Sequence, residues 1–146
     1  MSAGGGRRNT GRMIEKFNPP TVHQPPGYSH VTISAAGRLV HLAGQCPLDL
    51  DGTVVGAPGD FGAQTDQVIA NCLAVLEAAG AKPADVVRSV IYVVSPESSV
   101  LGGVWERLNA SPLAPAFTTA STLLGVASLG FGGQLVEVDL TAALPG

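Results

Sequence analysis

Two neighbouring segments restrict the fold of this chain more than any other feature of its sequence. Residues 61–79 place apolar side chains at three- and four-residue spacing, between Asp60 and Gly80, which are typical helix ends. Residues 86–94, "VVRSVIYVV", form a nearly continuous β-branched run, as in a strand covered on both faces. An amphipathic helix followed directly by such a strand indicates a helix packed on a sheet.

The segments on either side extend this unit. The β-rich runs "HVTIS" and "RLVHLAG" are separated by "AAG", which predicts a hairpin. "PESSVLGGVWERLNA" predicts a shorter helix starting at Ser95 or Pro96, and "AFTTASTLL" and "QLVEVDLTA" predict two more strands. The resulting order, β-β-α-β-α-β-β, predicts an α+β subunit with two helices on one face of a sheet.

The N-terminal segment differs in composition from the rest. Residues 1–27 are rich in glycine and proline, which predicts a flexible leader that runs extended over the surface, before a single domain at 28–146. Met13 is an alternative to Met1 as the functional start. The basic start lacks the apolar stretch of a secretory signal, and the chain has only two cysteines. We therefore expect reduced thiols and a cytoplasmic protein.

The composition is apolar for a chain of 146 residues, with 45% hydrophobic and 13% charged residues. No window of about 18 residues is continuously apolar, which argues against a transmembrane helix. We therefore expect a homo-oligomer that covers part of the surface. The net charge is −3, and three of the eight basic residues lie in the first twelve positions. This distribution leaves no basic stripe for nucleic acid.

The sequence predicts no metal and no other cofactor. His23, His30 and His41 lack the spacing of metal ligands. "DLDG" at 49–52 predicts a turn, because the glycine comes too early for a calcium loop and the bidentate glutamate is missing. Cys46 has no basic neighbour in the sequence, which favours a structural thiol over a reactive one.

Glu137 lies in the middle of a predicted strand, between Val136 and Val138. One interpretation is an edge or solvent-facing position. The other is a carboxylate that lines a pocket, where it would orient a water molecule or act as a base. The residues alone leave both interpretations open.

Six segments together resemble the Rid/YjgF family of reactive-intermediate imine and enamine deaminases, also called the endoribonuclease L-PSP family. The similarity runs from about residue 28 to residue 142. The segments are "PPGYSHV", "HLAGQCPLDLDG", "DFGAQTDQVIANCLAVLEAAGAKPADVV", "RSVIYVV", "SPLAPAFTTAS" and "LVEVDLTA". The resemblance implies a chorismate-mutase-like subunit, a homotrimer with a central barrel, and a pocket at each subunit interface.

The resemblance also implies a site, and this chain departs from it. The deaminase motif Pro-Ala-Arg-Ser/Thr, whose arginine holds the substrate carboxylate, corresponds to Pro115–Thr118, so Phe117 stands in the place of the arginine. Ala43 replaces a serine, and Gly102 replaces an asparagine. Glu137 matches the glutamate thought to position the attacking water. The candidate pocket residues are Tyr28, Ala43, Gly44, Phe117, Thr118 and Thr119.

Three functions follow from this comparison. The first is a remodelled pocket between subunits, which binds and hydrolyses a small uncharged or aromatic molecule of the imine or amide type. The second is the ordinary deaminase of imino or enamine acids, with another cation such as Arg107 in place of the arginine. The third is a non-enzymatic trimer that serves as a binding or chaperone-like module. Ribonuclease activity is disfavoured by the acidic pI of 5.4.

Overall fold

The computed structural model of this protein describes residues 14–35 and 37–145. These residues form six strands and two helices in the order β1-β2-β3-α1-β4-α2-β5-β6. The elements are β1 (Ile14–Phe17), β2 (Val31–Ser34), β3 (Leu39–His41), α1 (Phe61–Ala78), β4 (Val86–Val93), α2 (Ser98–Asn109), β5 (Ala120–Gly125) and β6 (Val136–Ala143).

A four-stranded mixed sheet with the order β3-β6-β4-β5 forms the centre of the fold. Strand β6 is antiparallel to both of its neighbours, whereas β4 and β5 are parallel and joined through α2. Both helices pack on one face of this sheet, which confirms the predicted α+β architecture. The main buried side chains of this layer are Val68, Cys72 and Leu76 of α1, Val104 and Leu108 of α2, and Ile91, Val136, Val138 and Leu140 of the sheet.

The first helix has the predicted ends. The Asp60 carboxylate accepts a hydrogen bond from the Ala63 amide at 2.9 Å, which satisfies one of the free N–H groups of the first turn. Gly80 follows the helix with a φ of +79°, a conformation that glycine adopts without strain. The second helix begins at Ser98, with Glu97 as its N-cap, and not at Ser95 or Pro96.

The predicted hairpin between the first two β-rich runs is wrong. Strand β2 pairs with β1, from Ile14 opposite Ser34 to Phe17 opposite Val31, in a separate two-stranded sheet. Strand β3 joins β6 instead, because Val40 and Leu42 pack on the main core. Strand β1 lies within the segment interpreted as a leader. Residues 1–13, including Met13, lie outside the described residues, so the leader prediction stays untested for them.

The strand predicted over residues 116–124 begins later than its alternating pattern suggests. Ala114–Phe117 form a short 3₁₀ helix, and β5 begins only at Ala120. The amide of Ala116 donates to the carbonyl of Leu113 at 2.9 Å, a bond of the 3₁₀ type. Pro115 lies in the first turn of this 3₁₀ helix, where its fixed φ is compatible with a helical turn, so the strand begins only after the turn.

The sheet face opposite the helices is less covered than the helical face. On β6, Val136, Val138 and Leu140 are buried on the helical face, while Glu137 and Asp139 remain half-buried on the other face. The described part of the chain contains no helix with the length and apolar character needed to cross a membrane.

A single truncation tests the helix–sheet packing. Leu76 is fully buried in α1, whereas Val75, the preceding residue, is 37% exposed. We expect Leu76→Ala to lower the free energy of unfolding by about 2–5 kcal/mol, because it leaves a cavity in the core. Val75→Ala should cost much less. Urea unfolding at one fixed protein concentration measures both values, and equal losses would contradict the described packing.

Candidate active site

Glu137 lies on a central strand and not at an edge of the sheet. Strand β6 is flanked by β3 and β4, and Glu137 is opposite Tyr92 of β4. Its side chain points to the face opposite the helices, because alternate β6 residues fill the core. The interpretation of Glu137 as an edge residue is therefore excluded.

The Glu137 carboxylate accepts two hydrogen bonds at one oxygen. The amide Nε2 of Gln134 donates to Oε1 at 3.1 Å, and the thiol of Cys46 lies 3.4 Å from the same oxygen. Gln134 is buried and Cys46 is half-buried. Neither residue was connected with Glu137 from the sequence, because Cys46 is 91 residues away and a strand over 134–142 would place Gln134 and Glu137 on opposite faces.

Gly44 makes room for this carboxylate. A Cβ atom added at Gly44 would overlap Oε2 of Glu137 and lie 2.8 Å from its Cδ. Ala43, just before it, is exposed, and its carbonyl accepts a hydrogen bond from the Gln45 side chain at 3.0 Å. Of the predicted pocket residues, Ala43 and Gly44 therefore lie near Glu137.

The two thiols differ in their surroundings. Burial and the negative charge of Glu137 raise the pKa of Cys46, so that its thiol is protonated and able to donate at neutral pH. Burial raises the pKa of Cys72 to about 12, in the core beneath α1. Both cysteines are free.

Amide side chains of α1 hold the two loops that carry the neighbours of Glu137. Asn71 donates to the carbonyls of Cys46 and Leu48 at 2.9 and 3.0 Å. Gln64 donates to the carbonyl of Gly133 at 2.9 Å and accepts from the amide of Leu135 at 2.7 Å. These polar residues on the sheet-facing side of a helix were missed in the sequence analysis. The signal available in the sequence was the presence of Gln64 and Asn71 among the apolar positions of α1.

A second group of candidate residues surrounds an aromatic cleft. The ring centroids of Tyr28 and Trp105 are 6.4 Å apart, and those of Trp105 and Phe117 are 6.0 Å apart, both in edge-to-face arrangements. The cleft has a volume of about 230 Å³, and Pro26, Tyr28, Trp105, Ser121 and Leu123 line it. Tyr28 thus lies in a cleft wall, whereas Trp105 was not predicted.

Phe117 is not an exposed wall of the cleft. Its side chain is fully buried, because the 3₁₀ turn directs the ring into the core below Trp105. The structure therefore corrects the expectation that this ring contacts a ligand directly. In the described chain, Phe117 contributes by supporting the indole that lines the cleft.

Thr118 and Thr119 link β5 to the β1–β2 ribbon. Lys16 donates to the hydroxyl of Thr118 at 2.9 Å, and burial lowers the pKa of this lysine. The hydroxyls of Thr119 and Thr32 are 2.6 Å apart, and Thr119 is fully buried. In this chain both threonines therefore have structural partners.

Within one subunit, the aromatic cleft and the Glu137 carboxylate do not form a common pocket. Leu123 of the cleft is opposite Ile91 on β4, and Glu137 is opposite the next residue, Tyr92. Successive residues of a strand point to opposite faces of the sheet. Ser121 and Leu123 line the cleft from the helical face, whereas Glu137 points to the other face.

Arg107 is engaged elsewhere. Its guanidinium forms a bidentate pair with Asp66 of α1, with two N···O distances of 2.8 Å, and this pairing lowers the pKa of Asp66. This contact makes it a poor substitute for the missing arginine. Within residues 14–35 and 37–145, no group of three potential metal ligands is close enough to hold an ion.

The close approach at Gly44 predicts the effect of a single methyl group. We expect Gly44→Ala to destabilise the protein by about 1–3 kcal/mol, because the Glu137 carboxylate must move away. Gly103→Ala is the matched control, since a Cβ there meets nothing within 4 Å. It should raise stability by up to about 1 kcal/mol as a helical alanine. Chemical unfolding measures both variants, and a tolerated Gly44→Ala would contradict the geometry.

The burial of Phe117 predicts the result of restoring the family's arginine. We expect Phe117→Arg to lower the free energy of unfolding by about 3 kcal/mol or more, because the guanidinium would be buried without a partner. Thr118→Arg, at the exposed neighbouring position, should cost far less. Thermal and chemical unfolding measure the difference. A stable Phe117→Arg protein that binds carboxylates would show that the ring position faces a pocket.

Comparison with known proteins agrees with the fold and the motifs. The Endoribonuclease L-PSP family matches residues 21–144. The chain is 36% identical over 87 residues to Protein DfrA of Myxococcus xanthus, and 43% identical over 58 residues to a RutC family protein of Pyrococcus abyssi. These matches cover 60% and 39% of this chain, and 64% and 44% of the relatives, which is less than two thirds of their length.

Solved structures match over more of the chain. YyfB of Yersinia pestis, a Rid-family protein of unknown function, superposes with a TM-score of 0.81 at 36% identity, over 91% of this chain and 100% of that one. A putative endoribonuclease L-PSP of Entamoeba histolytica gives 0.63 at 27% identity, over 83% and 90%. With its family motifs, its mixed sheet and these matches, the chain belongs to the Rid/YjgF family, also described as the endoribonuclease L-PSP family.

Proposed function

We propose that this protein is a homotrimer that binds a small uncharged, aromatic molecule of the imine or amide type and hydrolyses its C–N bond. The observation that carries the proposal is the aromatic cleft beside Trp105, which has no charged side chain among its lining residues. Glu137 supplies the polar group of the same pocket, across the boundary between two subunits.

The cleft suits a flat, neutral molecule. Tyr28 and Trp105 offer ring faces and edges, and Leu123 adds an aliphatic surface. Ser121 is the polar residue of the lining, but its hydroxyl already donates to the carbonyl of Thr119 at 3.0 Å. A carboxylate would lose its hydration in this cleft without gaining a cation, since Phe117 replaces the arginine of the deaminase motif.

Glu137 has the chemistry to assist hydrolysis. A carboxylate accepts a proton from water while the water oxygen attacks the electrophilic carbon of an imine. The C=N electron pair moves to the nitrogen, which takes the proton that Glu137 received, and a carbinolamine results. The hydroxyl proton of the carbinolamine then passes to the nitrogen as the C–N bond breaks, which leaves a carbonyl compound and a free amine. No side chain beyond one general base is required for the first of these steps.

The position of Glu137 supports a pocket built by two subunits. Within one chain, the cleft and the carboxylate lie on opposite faces of the sheet. The partly covered sheet face and the exposed side chains of Ile33, Leu39 and Phe131 suggest that further surface becomes buried on assembly. A trimer is also what the family resemblance implies.

Trp105 offers a direct binding test, because it is the only tryptophan in the sequence. We expect benzamide to change the emission of Trp105, and benzoate to have little effect at the same concentration. Tyr28→Ala should weaken the benzamide response at least about tenfold through the lost ring contact. Leu50→Ala, at a fully exposed loop position, is the control and should respond like the unchanged protein. Identical responses to benzamide and benzoate would contradict an uncharged ligand.

Hydrolysis is measured separately, with an N-alkyl imine of benzaldehyde. We expect Glu137→Gln to reduce the rate about 10²- to 10⁴-fold, the usual contribution of a general base, while the Trp105 response to benzamide persists. Binding of benzamide without hydrolysis of the imine would support the non-enzymatic binding module instead. Faster decay of imino acids generated by an amino-acid oxidase would instead favour the ordinary deaminase.

A further inference from the structure

We propose that Gln134 and Cys46 are positioning residues for Glu137, which both donate to Oε1 and leave Oε2 as the oxygen that accepts a proton from water. This inference rests on the proposed role of Glu137. It adds two residues that belong to this chain's own arrangement, and it assigns different tasks to the two carboxylate oxygens.

The orientation of Gln134 is fixed by its own backbone partner. Its carbonyl Oε1 accepts a hydrogen bond from the amide of Phe131 at 3.1 Å. The NH₂ group must therefore face the other way, where the carbonyl of Val136 lies at 3.2 Å and Oε1 of Glu137 at 3.1 Å. Gln134 is only 3% exposed, so water does not compete readily for these contacts.

Cys46 provides the second donor. Its backbone carbonyl is held by Asn71 of α1, which fixes the position of the side chain relative to β6. The thiol has two acceptors within reach, Oε1 of Glu137 at 3.4 Å and the carbonyl of Gly44 at 3.6 Å. Burial and the nearby carboxylate raise the pKa of this thiol, so it retains the proton that it donates.

The two carboxylate oxygens consequently differ. Oε1 receives both donors, whereas no hydrogen bond to Oε2 is present among the described residues. Oε2 lies over Gly44, where a side chain would block it. A hydrogen-bond donor withdraws electron density from the oxygen that it contacts, so Oε2 is the better proton acceptor. A glutamate held in this way presents one defined oxygen to the water.

Ionisation of Cys46 reports this arrangement without any substrate. In protein labelled with ¹³C at the cysteine Cβ, the Cβ chemical shift follows ionisation of each thiol, and a Cys72→Ser variant assigns the two signals. We expect Glu137→Gln to move the Cys46 midpoint to lower pH, because a negative charge beside the thiolate is removed. Gln134→Leu should move it to higher pH, because the Glu137 charge beside the thiol then loses the donor that offsets it.

Cys72 is the internal control, since it lies in the core and its midpoint should not change in either variant. Opposite shifts at Cys46 with an unchanged Cys72 support the arrangement, because general loosening of the fold would lower both midpoints. If the midpoint of Cys46 ionisation is the same in both variants as in the unchanged protein, the proposal is wrong. If Gln134→Leu does not fold, the isosteric Glu137→Gln decides the outcome alone.

Imine hydrolysis tests the positioning role itself. We expect Gln134→Leu to lower kcat about tenfold with little change in KM, since a hydrogen bond to a charged group is lost. Cys46→Ala should lower kcat less, and Cys46→Ser should restore it, because serine keeps a donor. Equal rates for the alanine and serine variants would overturn the role of Cys46. If no imine is hydrolysed while the Cys46 midpoints shift as expected, the proposed function fails and the described arrangement stands.

Discussion

The antiparallel pairing of β4 with β6 is the contact on which the rest of the fold depends. It aligns Ile91 with Val138 and Ser89 with Leu140 on the buried face, which both helices cover. The same alternation sends Glu137 to the opposite face, because side chains on a strand alternate with a period of two. A carboxylate at this position cannot be moved to the core without a change of register that would expose Val136 and Val138.

Amide side chains of α1 connect the core to the candidate site through hydrogen bonds. Gln64 and Asn71 are seven residues apart, so they lie on one side of α1 and reach two separate loops. Each of them binds two main-chain groups of a loop beside the apolar layer. The loops then place Cys46 and Gln134 beside Glu137. Helix packing and carboxylate geometry are therefore linked through hydrogen bonds, and loss of one amide should disturb both.

The sequence predicts those parts of the fold whose periodicity is long enough to be unambiguous. The helix after Asp60 and the strand at residues 86–93 follow from repeated apolar spacing and from capping residues. Strand β1 was missed because four residues carry too little pattern, and the 3₁₀ turn before β5 was missed because the alternating run at residues 116–124 begins inside it. Glu137 was identified by its unusual charge in an apolar strand. Its partners were not, since Cys46 is distant in the sequence and Gln134 is three residues away, a spacing that a strand pattern assigns to opposite faces.

The resemblance places Phe117 at the arginine of the deaminase motif, and such an exchange would change two properties together. A guanidinium at position 117 would need a counter-charge or solvent, whereas the phenyl ring is buried completely and supports Trp105 from below. Position 117, which would anchor an anionic substrate, is therefore part of the core. The cleft above it has an aromatic surface formed by Tyr28 and Trp105. Glu137 keeps two hydrogen-bond donors, although a carboxylate on a half-buried face is costly to hold unless it is satisfied. Under the proposed function, a buried ring at position 117 together with an oriented carboxylate is the pattern expected for a neutral ligand whose hydrolysis still needs an activated water.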